Sequence, residues 1–174
     1  MASPDPVLHL IAGPNGAGKT TLATRVVAPV TGLPFVNADV IAQLRWPAAQ
    51  AEHAYEASQV AAEQRRELIL AGTSFITETV FSHPSKLALI RDAQAVGYHV
   101  NLHVVLVPEG LTVARVRDRV RRGGHTVPED KIRERYHRLW GLVAQARALA
   151  ERTHVYDNSR AAVPLRLIAS YEHG

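Results

Sequence analysis

The segment Gly13–Thr20, which reads GPNGAGKT, has the residue types of a phosphate-binding loop. It matches the pattern G-x-x-x-x-G-K-[ST], with an apolar run before it and a helical pattern after it. Its glycines let successive backbone N–H groups turn toward phosphate oxygens, and the following helix adds the positive end of its dipole. We expect Lys19 to reach the β- and γ-phosphates of a nucleotide, and the Thr20 hydroxyl to hold Mg²⁺.

The loop therefore predicts that the protein binds ATP together with Mg²⁺. The D-x-x-G and N-K-x-D stretches of GTPases are both absent from the sequence, which favours ATP over GTP. The predicted ATP-binding residues are Gly13, Pro14, Asn15, Gly16, Ala17, Gly18, Lys19, Thr20 and Thr21.

Two carboxylates follow apolar runs of strand length. Asp39 closes the run LPFVNAD, and Glu78 lies beside Thr79 near the end of TSFITETV. Ligands of open parallel sheets bind beyond the carboxyl ends of the strands, so both carboxylates should face the same crevice as Lys19. Asp39 is suited to accept the proton of an acceptor hydroxyl as a general base; alternatively, it caps a short helix over 40–45.

Glu78 occupies a run that is otherwise suited to burial, where an unpartnered carboxylate is costly. We expect its side chain to face a ligand, a metal or an arginine, with a salt bridge at the strand end as the alternative. Asp39, Glu78 and Thr79 are the predicted acceptor-binding residues.

Basic residues are concentrated in the segment 115–138. It contains nine of the twenty Lys and Arg residues against four acids, so its formal charge is +5 while the rest of the chain sums to −1. The pattern predicts two helices separated by Gly123 and Gly124, which together would form a lid over about 109–140. Arg119, Arg122 and Arg135 are predicted to stabilise charge on the transferring phosphoryl group.

Two alternatives remain for this basic segment. Many arginines on an exposed helix pair form only a solvated face, and a basic patch also attracts nucleic-acid phosphates without specificity. The aromatic residues nearby are Tyr136 and Trp140, which suit a packed helix face as well as base stacking.

His125 is expected either to contact a phosphate or to end a helix. Asn158 and Ser159 are candidate contacts to the adenine, or form a plain turn.

The elements that must position these residues alternate between strands and helices. Strands are predicted at 7–13, 33–39, 73–80, 98–107 and 153–158, and helices near 19–28, 47–71, 84–96, 109–121 and 129–151. This alternation predicts an α/β protein with a P-loop kinase-type three-layer fold, a parallel sheet of about five strands and a helical lid. Residues 164–174 fit a closing helix or a frayed tail. We expect one domain over 1–174.

Composition limits the function classes. The chain has no cysteine, which excludes disulfides and thiolate metal sites, and its nine histidines form no H-E-x-x-H or similar cluster, so we expect no transition metal. No window reaches the roughly 18 apolar residues of a membrane span, and no secretory signal is evident. A cytoplasmic protein without membrane contact is therefore expected.

Together these motifs resemble the zeta toxin family of small bacterial P-loop kinases. The resemblance rests on GPNGAGKTT, the Asp of NAD, TETVFS at 77–82, RVRRGGHTVPEDKIRERYHR at 119–138 and VYDNS at 155–159. It implies Lys19 and Thr20 as the ATP–Mg²⁺ residues, Asp39 as the base and Glu78 as a contact to the acceptor. It also implies a UDP-sugar acceptor such as UDP-N-acetylglucosamine, and a small antitoxin as partner.

The residues by themselves leave other functions open. The acceptor hydroxyl could belong to a nucleic-acid end or an antibiotic, because fold alone does not determine substrate. A nucleotide-dependent binding protein with incidental ATPase activity is a further alternative. We consider a nucleic-acid partner less favoured than a small-molecule acceptor.

Overall fold

The computed structural model describes residues 5–122 and 127–173. A six-stranded sheet with the order β2-β3-β1-β4-β5-β6 forms the middle layer. The first five strands are mutually parallel, and β6 pairs with β5 in the antiparallel direction. The strands are β1 (Val7–Ala12), β2 (Phe35–Val36), β3 (Phe75–Thr79), β4 (His99–Leu106), β5 (Arg152–Asp157) and β6 (Arg166–Glu172).

Helices connect the parallel strands. The helix after the phosphate loop has three consecutive parts: α1 (Lys19–Leu22), a π-helical turn (Ala23–Val27) and α2 (Ala28–Thr31). The remaining helices are α3 (Ala38–Arg45), α4 (Ala54–Leu70), α5 (Ser85–Ala95), α6 (Glu109–Arg121) and α7 (Glu129–Leu149). The predicted α/β three-layer fold is therefore confirmed.

The C-terminal segment differs from the prediction. Residues 166–172 form neither a closing helix nor a frayed tail, but the antiparallel edge strand β6. The register between β5 and β6 shifts at Val155 and Tyr156, which marks an irregularity in the pairing. An antiparallel edge on an otherwise parallel sheet is common, and it raises the strand count from about five to six.

The helix predicted over 47–71 was placed too early. Residues 47–53 form turns, and α4 begins only at Ala54. Trp46 ends α3, and its ring stacks on His53 with 4.7 Å between centroids and an interplanar angle of 11°. The stacking brings Trp46 and His53 together, so the residues between them form turns. Pro47 therefore does not begin a helix, in contrast to the prediction from the sequence.

The two faces of the sheet have separate cores. Leu8, Leu10 and Leu102 point toward the layer that contains α4, α5 and α7. Ile11 and Val105 point to the opposite face, where the helix after the phosphate loop covers them. Alternation along β1 and β4 thus packs the phosphate-loop helix on one side and leaves the other side for the crossover helices. No helix within the described residues is both long and apolar enough to cross a membrane.

Three histidines follow one another across the face that carries Ile11. His9 Nδ1 and His103 Nε2 share a hydrogen bond of 3.0 Å, and the His103 and His154 ring centroids are 5.4 Å apart. The Tyr156 hydroxyl lies 3.4 Å from His103 Nδ1. Burial lowers the pKa of His103 to about 3, and repulsion from His9 and His154 acts in the same direction.

We predict that His103 makes the fold acid-sensitive. Its pKa is near 6.5 in the unfolded chain and depressed in the folded one, so the unfolded state binds the extra proton as pH falls from about 6.5 toward 3. The free energy of unfolding should fall by about 2 kcal/mol between pH 7 and pH 5 from this group. Urea unfolding at both pH values should show a smaller loss for His103→Gln. His99→Gln, at an exposed position of β4, is the control, and equal pH dependence in all three proteins would contradict the assignment.

Candidate functional site

The phosphate loop joins β1 to α1 and depends on glycine at positions where a side chain does not fit. Gly18 has φ +95°, and a Cβ there would lie 2.5 Å from Asn158 Nδ2. A Cβ on Gly13 would lie 2.7 Å from the Val105 carbonyl oxygen. The loop is thus pressed against the ends of the neighbouring strands, with its backbone available for phosphate.

Lys19, the one charged residue of the loop sequence, is buried. Only 9% of the residue is exposed, and its Nζ donates a 2.9 Å hydrogen bond to the Pro14 carbonyl oxygen. Burial lowers the pKa of Lys19, while the Glu78 and Asp39 carboxylates oppose that shift and Arg119 adds to it. The Lys19 ammonium therefore interacts electrostatically with the other charged groups of the site, which are Glu78, Asp39 and Arg119.

Thr20 and Glu78 are joined directly. The Thr20 hydroxyl donates a 2.8 Å hydrogen bond to Glu78 Oε1, so the end of β3 is tied to the first turn of α1. The other oxygen, Oε2, is buried and has no hydrogen-bond partner among the described residues. Burial raises the pKa of Glu78, which Lys19 and the Thr20 bond partly offset. The alternative in which Glu78 forms a strand-end salt bridge is not seen among the described residues, where its direct contact is the Thr20 hydroxyl.

Asp39 lies in the first turn of α3, at the end of the short strand β2. The cap of this helix is Asn37, whose Oδ1 accepts hydrogen bonds of 2.6 Å from the Asp39 N–H and 3.1 Å from the Val40 N–H. The alternative in which Asp39 caps a helix over 40–45 is therefore wrong, because α3 begins two residues earlier. The Asp39 side chain is left exposed toward the site.

A crevice of about 460 Å³ brings these groups together. It lies at the carboxyl ends of β1, β2 and β3, as parallel-sheet topology requires. Of the predicted site residues, those that line it are Asn15, Gly16, Ala17, Gly18, Lys19, Thr20, Thr21, Asp39, Glu78, Thr79 and Arg119. Gly13 and Pro14, which also belong to the loop, are not among the lining residues.

The structure selects among the predicted arginines. Arg119 lines the crevice, whereas Arg122 and Arg135 are not among its lining residues. Arg122 is largely exposed and forms an ion pair of 2.8 Å with Asp118. The sequence predicted a role for both Arg119 and Arg122, but the face of α6 that meets the phosphate loop contains Arg115 and Arg119, four residues apart.

Arg115 and Asn158 hold the loop from the other side. Arg115 donates to the Gly16 carbonyl oxygen (3.4 Å) and to the Asn158 carbonyl oxygen (2.8 Å). Asn158 Nδ2 donates to the Ala17 carbonyl oxygen at 2.8 Å, and its Oδ1 accepts from the Leu165 N–H. Asn158 therefore contacts the loop backbone. The carbonyl oxygens of the glycine-rich loop need donors, but that requirement does not show from the sequence which distant residues supply them.

The predicted lid over about 109–140 is divided between two environments. Val113 and Val116 of α6 pack against Ile132 in a small cluster of their own. Leu139 of α7 is fully buried in the main core, so this part of the predicted lid belongs to the body of the protein. Tyr136 donates to the Val107 carbonyl oxygen at 3.2 Å. The hinge residues Gly123 and Gly124 and the candidate phosphate contact His125 lie outside the described residues.

Most exposed basic residues of this segment are paired with acids. Arg133 contacts Glu129 at 2.8 Å and Glu109 at 3.0 Å, and Lys131 contacts Glu134 at 3.1 Å.

Ser159, the second candidate adenine contact, donates its N–H to Asp157 Oδ1 in a turn. Within residues 5–122 and 127–173, no group of three or more His, Cys, Asp or Glu is arranged to hold a metal ion.

Several solved structures superpose on this fold. A chain from the PezAT chromosomal toxin–antitoxin system of Streptococcus pneumoniae superposes with a TM-score of 0.67 and 17% identity, over 98% of this chain and 73% of that one. A chain of the AvrRxo1-ORF1:-ORF2 complex solved with ATP gives 0.74 and 19%, over 98% and 59%. A gluconokinase from Sinorhizobium meliloti 1021 gives 0.56 and 17%, over 94% and 87%. The fold is that of P-loop kinases.

Comparison of sequences gives a match to a family profile but none to a curated protein. No curated protein has significant similarity to the chain. The profile of the Zeta toxin family, in contrast, matches residues 1–166, which include the phosphate loop, both carboxylates and both helices of the predicted lid. The chain therefore belongs to the zeta toxin family.

Proposed function

We propose that the protein is an ATP-dependent kinase that transfers the γ-phosphoryl group to a hydroxyl of a small metabolite. The observation that carries this proposal is the convergence of Lys19, Thr20, Asp39, Glu78 and Arg119 on one crevice. A phosphate loop alone serves many functions, whereas a loop with an exposed carboxylate opposite it suits transfer to an acceptor. UDP-N-acetylglucosamine, the acceptor of family members with known activity, is the first candidate.

In the proposed reaction, the acceptor oxygen bonds to the γ-phosphorus of ATP as the bond from that phosphorus to the β–γ bridging oxygen breaks. ADP leaves, and Asp39 takes the proton of the acceptor hydroxyl. Lys19 would exchange its bond with the Pro14 carbonyl oxygen for the phosphates. Arg119 would stabilise charge that develops on the transferring group.

Magnesium fits this set of donors. Hydroxyl and carboxylate oxygens are the ligands that Mg²⁺ takes, and the structure has the Thr20 hydroxyl 2.8 Å from Glu78 Oε1, with Oε2 unpartnered. Thr20 would hold the ion that accompanies the nucleotide. When bound, Mg²⁺ neutralises charge on the phosphates and orients them for transfer.

A small antitoxin is the proposed protein partner. Membership of the zeta toxin family supports it, as does the fold shared with a chain of the PezAT toxin–antitoxin system. The proposed cytoplasmic location follows from an acceptor and a cosubstrate that are both intracellular metabolites.

Replacement of Asp39 tests the proposed chemistry. Asp39→Asn keeps the shape of the side chain and removes the base, so kcat should fall by about 10²-fold or more while ATP affinity changes little. The assay is transfer of labelled phosphate from ATP to UDP-sugars, nucleosides and oligonucleotides. Lys19→Ala, which removes the phosphate contact, should lose ATP binding. Full turnover by Asp39→Asn would remove Asp39 as the base, whereas the absence of labelled product from every acceptor would contradict the kinase function.

Two arginines of α6 provide a test variant and its control: Arg119 lines the crevice, and Arg122 does not. We expect Arg119→Ala to lower kcat by about 10²-fold or more with little change in ATP affinity, because its contact strengthens in the transition state. Arg119→Lys should restore little, since an ammonium cannot reproduce a planar guanidinium. Arg122→Ala, three residues away and ion-paired with Asp118, should keep its kcat. Equal effects of the two alanine variants would remove Arg119 from the mechanism.

Glu78 is predicted to act on the acceptor through its unpartnered oxygen. Glu78→Gln keeps an oxygen that can accept from Thr20, but it removes the negative charge. We therefore expect a several-fold rise in the KM for the acceptor with a nearly constant KM for ATP. A change confined to the Mg²⁺ concentration at half-maximal activity would instead assign Glu78 to the metal.

A further inference from the structure

Asn37 is a buried polar residue that the proposed reaction does not use. It follows β2 directly, and only 4% of the residue is exposed. Its side chain nevertheless reaches the site, because Asn37 lines both the crevice and a smaller cavity of about 250 Å³ beside Asp39. A buried amide is costly unless its oxygen and its nitrogen are both used. Both sides of this amide are therefore expected to have a partner.

The backbone of α3 fixes the oxygen of the Asn37 amide. Oδ1 accepts from the Asp39 N–H at 2.6 Å and from the Val40 N–H at 3.1 Å. The nitrogen cannot take that place, because an amide NH₂ group only donates. Nδ2 therefore lies on the side of the amide that faces away from the α3 backbone. The same two bonds fix the first turn of α3, from which Asp39 lines the crevice.

The register of the sheet brings Asn37 next to Glu78. Strands β2 and β3 are parallel, with Val36 opposite Thr77. The Thr77 hydroxyl also donates to the Val36 carbonyl oxygen at 2.9 Å, which ties the two strand ends together. Asn37 and Glu78 are the next residues along these strands, so they lie side by side at the edge of the sheet where the crevice opens.

Glu78 lacks a donor for one of its two oxygens. Oε1 accepts from Thr20, whereas Oε2 is buried without a hydrogen-bond partner among the described residues. Burial raises the pKa of Glu78, and the Asn37 amide is among the groups that oppose this shift, as an N–H donor near a carboxylate does. Asn37 therefore supplies an N–H donor beside an oxygen that needs one.

We propose that Asn37 is a positioning residue that links the two carboxylates of the acceptor site. Through Oδ1 it sets the place of Asp39 on α3, and through Nδ2 it restrains the carboxylate of Glu78. One side chain then determines the distance between the proposed base and the proposed acceptor contact. The roles of Asp39 and Glu78 rest on the proposed kinase function, whereas the arrangement of the three side chains does not.

Replacement of Asn37 by serine separates the two bonds. Serine caps helices about as well as asparagine, so Asn37→Ser keeps an oxygen for the α3 N–H groups and removes Nδ2. It also adds no charge to a crevice whose wall contains the cations Lys19, Arg65, Lys86, Arg115 and Arg119. We expect a several-fold rise in the KM for the acceptor, with the KM for ATP and the Tm nearly unchanged. An unchanged acceptor KM, or an equal rise in both KM values, would overturn the proposal.

Two further variants separate positioning from stability. Asn37→Ala removes both bonds, so it should lower kcat as well and should lower Tm by about 2–4 °C through loss of the helix cap. Gln59→Ser, at an exposed position of α4 outside both cavities, is the control for an amide-to-hydroxyl change and should keep both KM values. A Tm loss in Asn37→Ala without any change in kcat or in the acceptor KM would reduce Asn37 to a cap and overturn the proposal.

A double variant shows whether Asn37 acts through Glu78. In Glu78→Gln, an NH₂ group takes the place of Oε2 and cannot accept from Asn37. Asn37→Ser should therefore cause no further rise in the acceptor KM in that background, although it does so in the wild type. Multiplication of the two single effects would mean that the residues act independently, and would overturn the proposal.

NMR tests the arrangement without any turnover. The Asn37 Nδ2 proton signals, assigned by their absence from Asn37→Ser, should shift in Glu78→Gln. They should stay in place in Glu63→Gln, which makes the same change at an exposed position of α4. Signals that do not respond to Glu78→Gln would overturn the arrangement. Failure of the kinase function would appear separately, as absence of phosphate transfer by the wild-type protein to every acceptor.

Discussion

The structure of the site depends on burial of one ammonium group, that of Lys19. A charge with so little exposure is costly unless polar groups surround it. The Pro14 carbonyl oxygen accepts its hydrogen bond, and the carboxylates of Glu78 and Asp39 favour its charged form. Three strand ends must therefore meet around this side chain: β1 brings the loop, β2 leads to Asp39 and β3 brings Glu78.

The loop around Lys19 is held from both sides of β1. On one side, Glu78 accepts from Thr20 at the start of α1. On the other side, Arg115 and Asn158 donate to the carbonyl oxygens of Gly16 and Ala17. These contacts come from β3, α6 and the segment after β5, so the loop shape is shared among distant parts of the chain. Such preorganisation lets backbone N–H groups face phosphate without reorganisation at the moment of reaction.

Charge is distributed unequally between the two helical regions around the crevice. On α6 and α7, basic side chains such as Arg122 and Arg133 are exposed and paired with acids. On α4 and α5, Arg65 and Lys86 are half-buried without an acidic partner among the described residues. Exposed pairs contribute little to stability or binding, whereas desolvated charges interact strongly with a ligand.

The sequence by itself determined the phosphate loop, the five parallel strands and the carboxylates at two strand ends. These follow from local rules, because a glycine pattern between a strand and a helix admits few conformations and parallel strands bring their carboxyl ends to one edge. It was less reliable where neighbouring segments compete. Trp46 stacking on His53 delayed the start of α4, Asn37 and not Asp39 capped α3, and pairing with β5 made 166–172 a strand.

Only the tertiary structure decided which basic residues face the crevice. The periodicity of α6 allows several arginine faces, and packing of Val113 and Val116 against Ile132 turned Arg119 toward the phosphate loop and left Arg122 exposed. Arg65 and Lys86 are twenty-one positions apart and belong to no motif, so no local pattern could have joined them. Side-chain proximity across helices depends on how the crossovers pack on the sheet, which a single sequence does not encode locally.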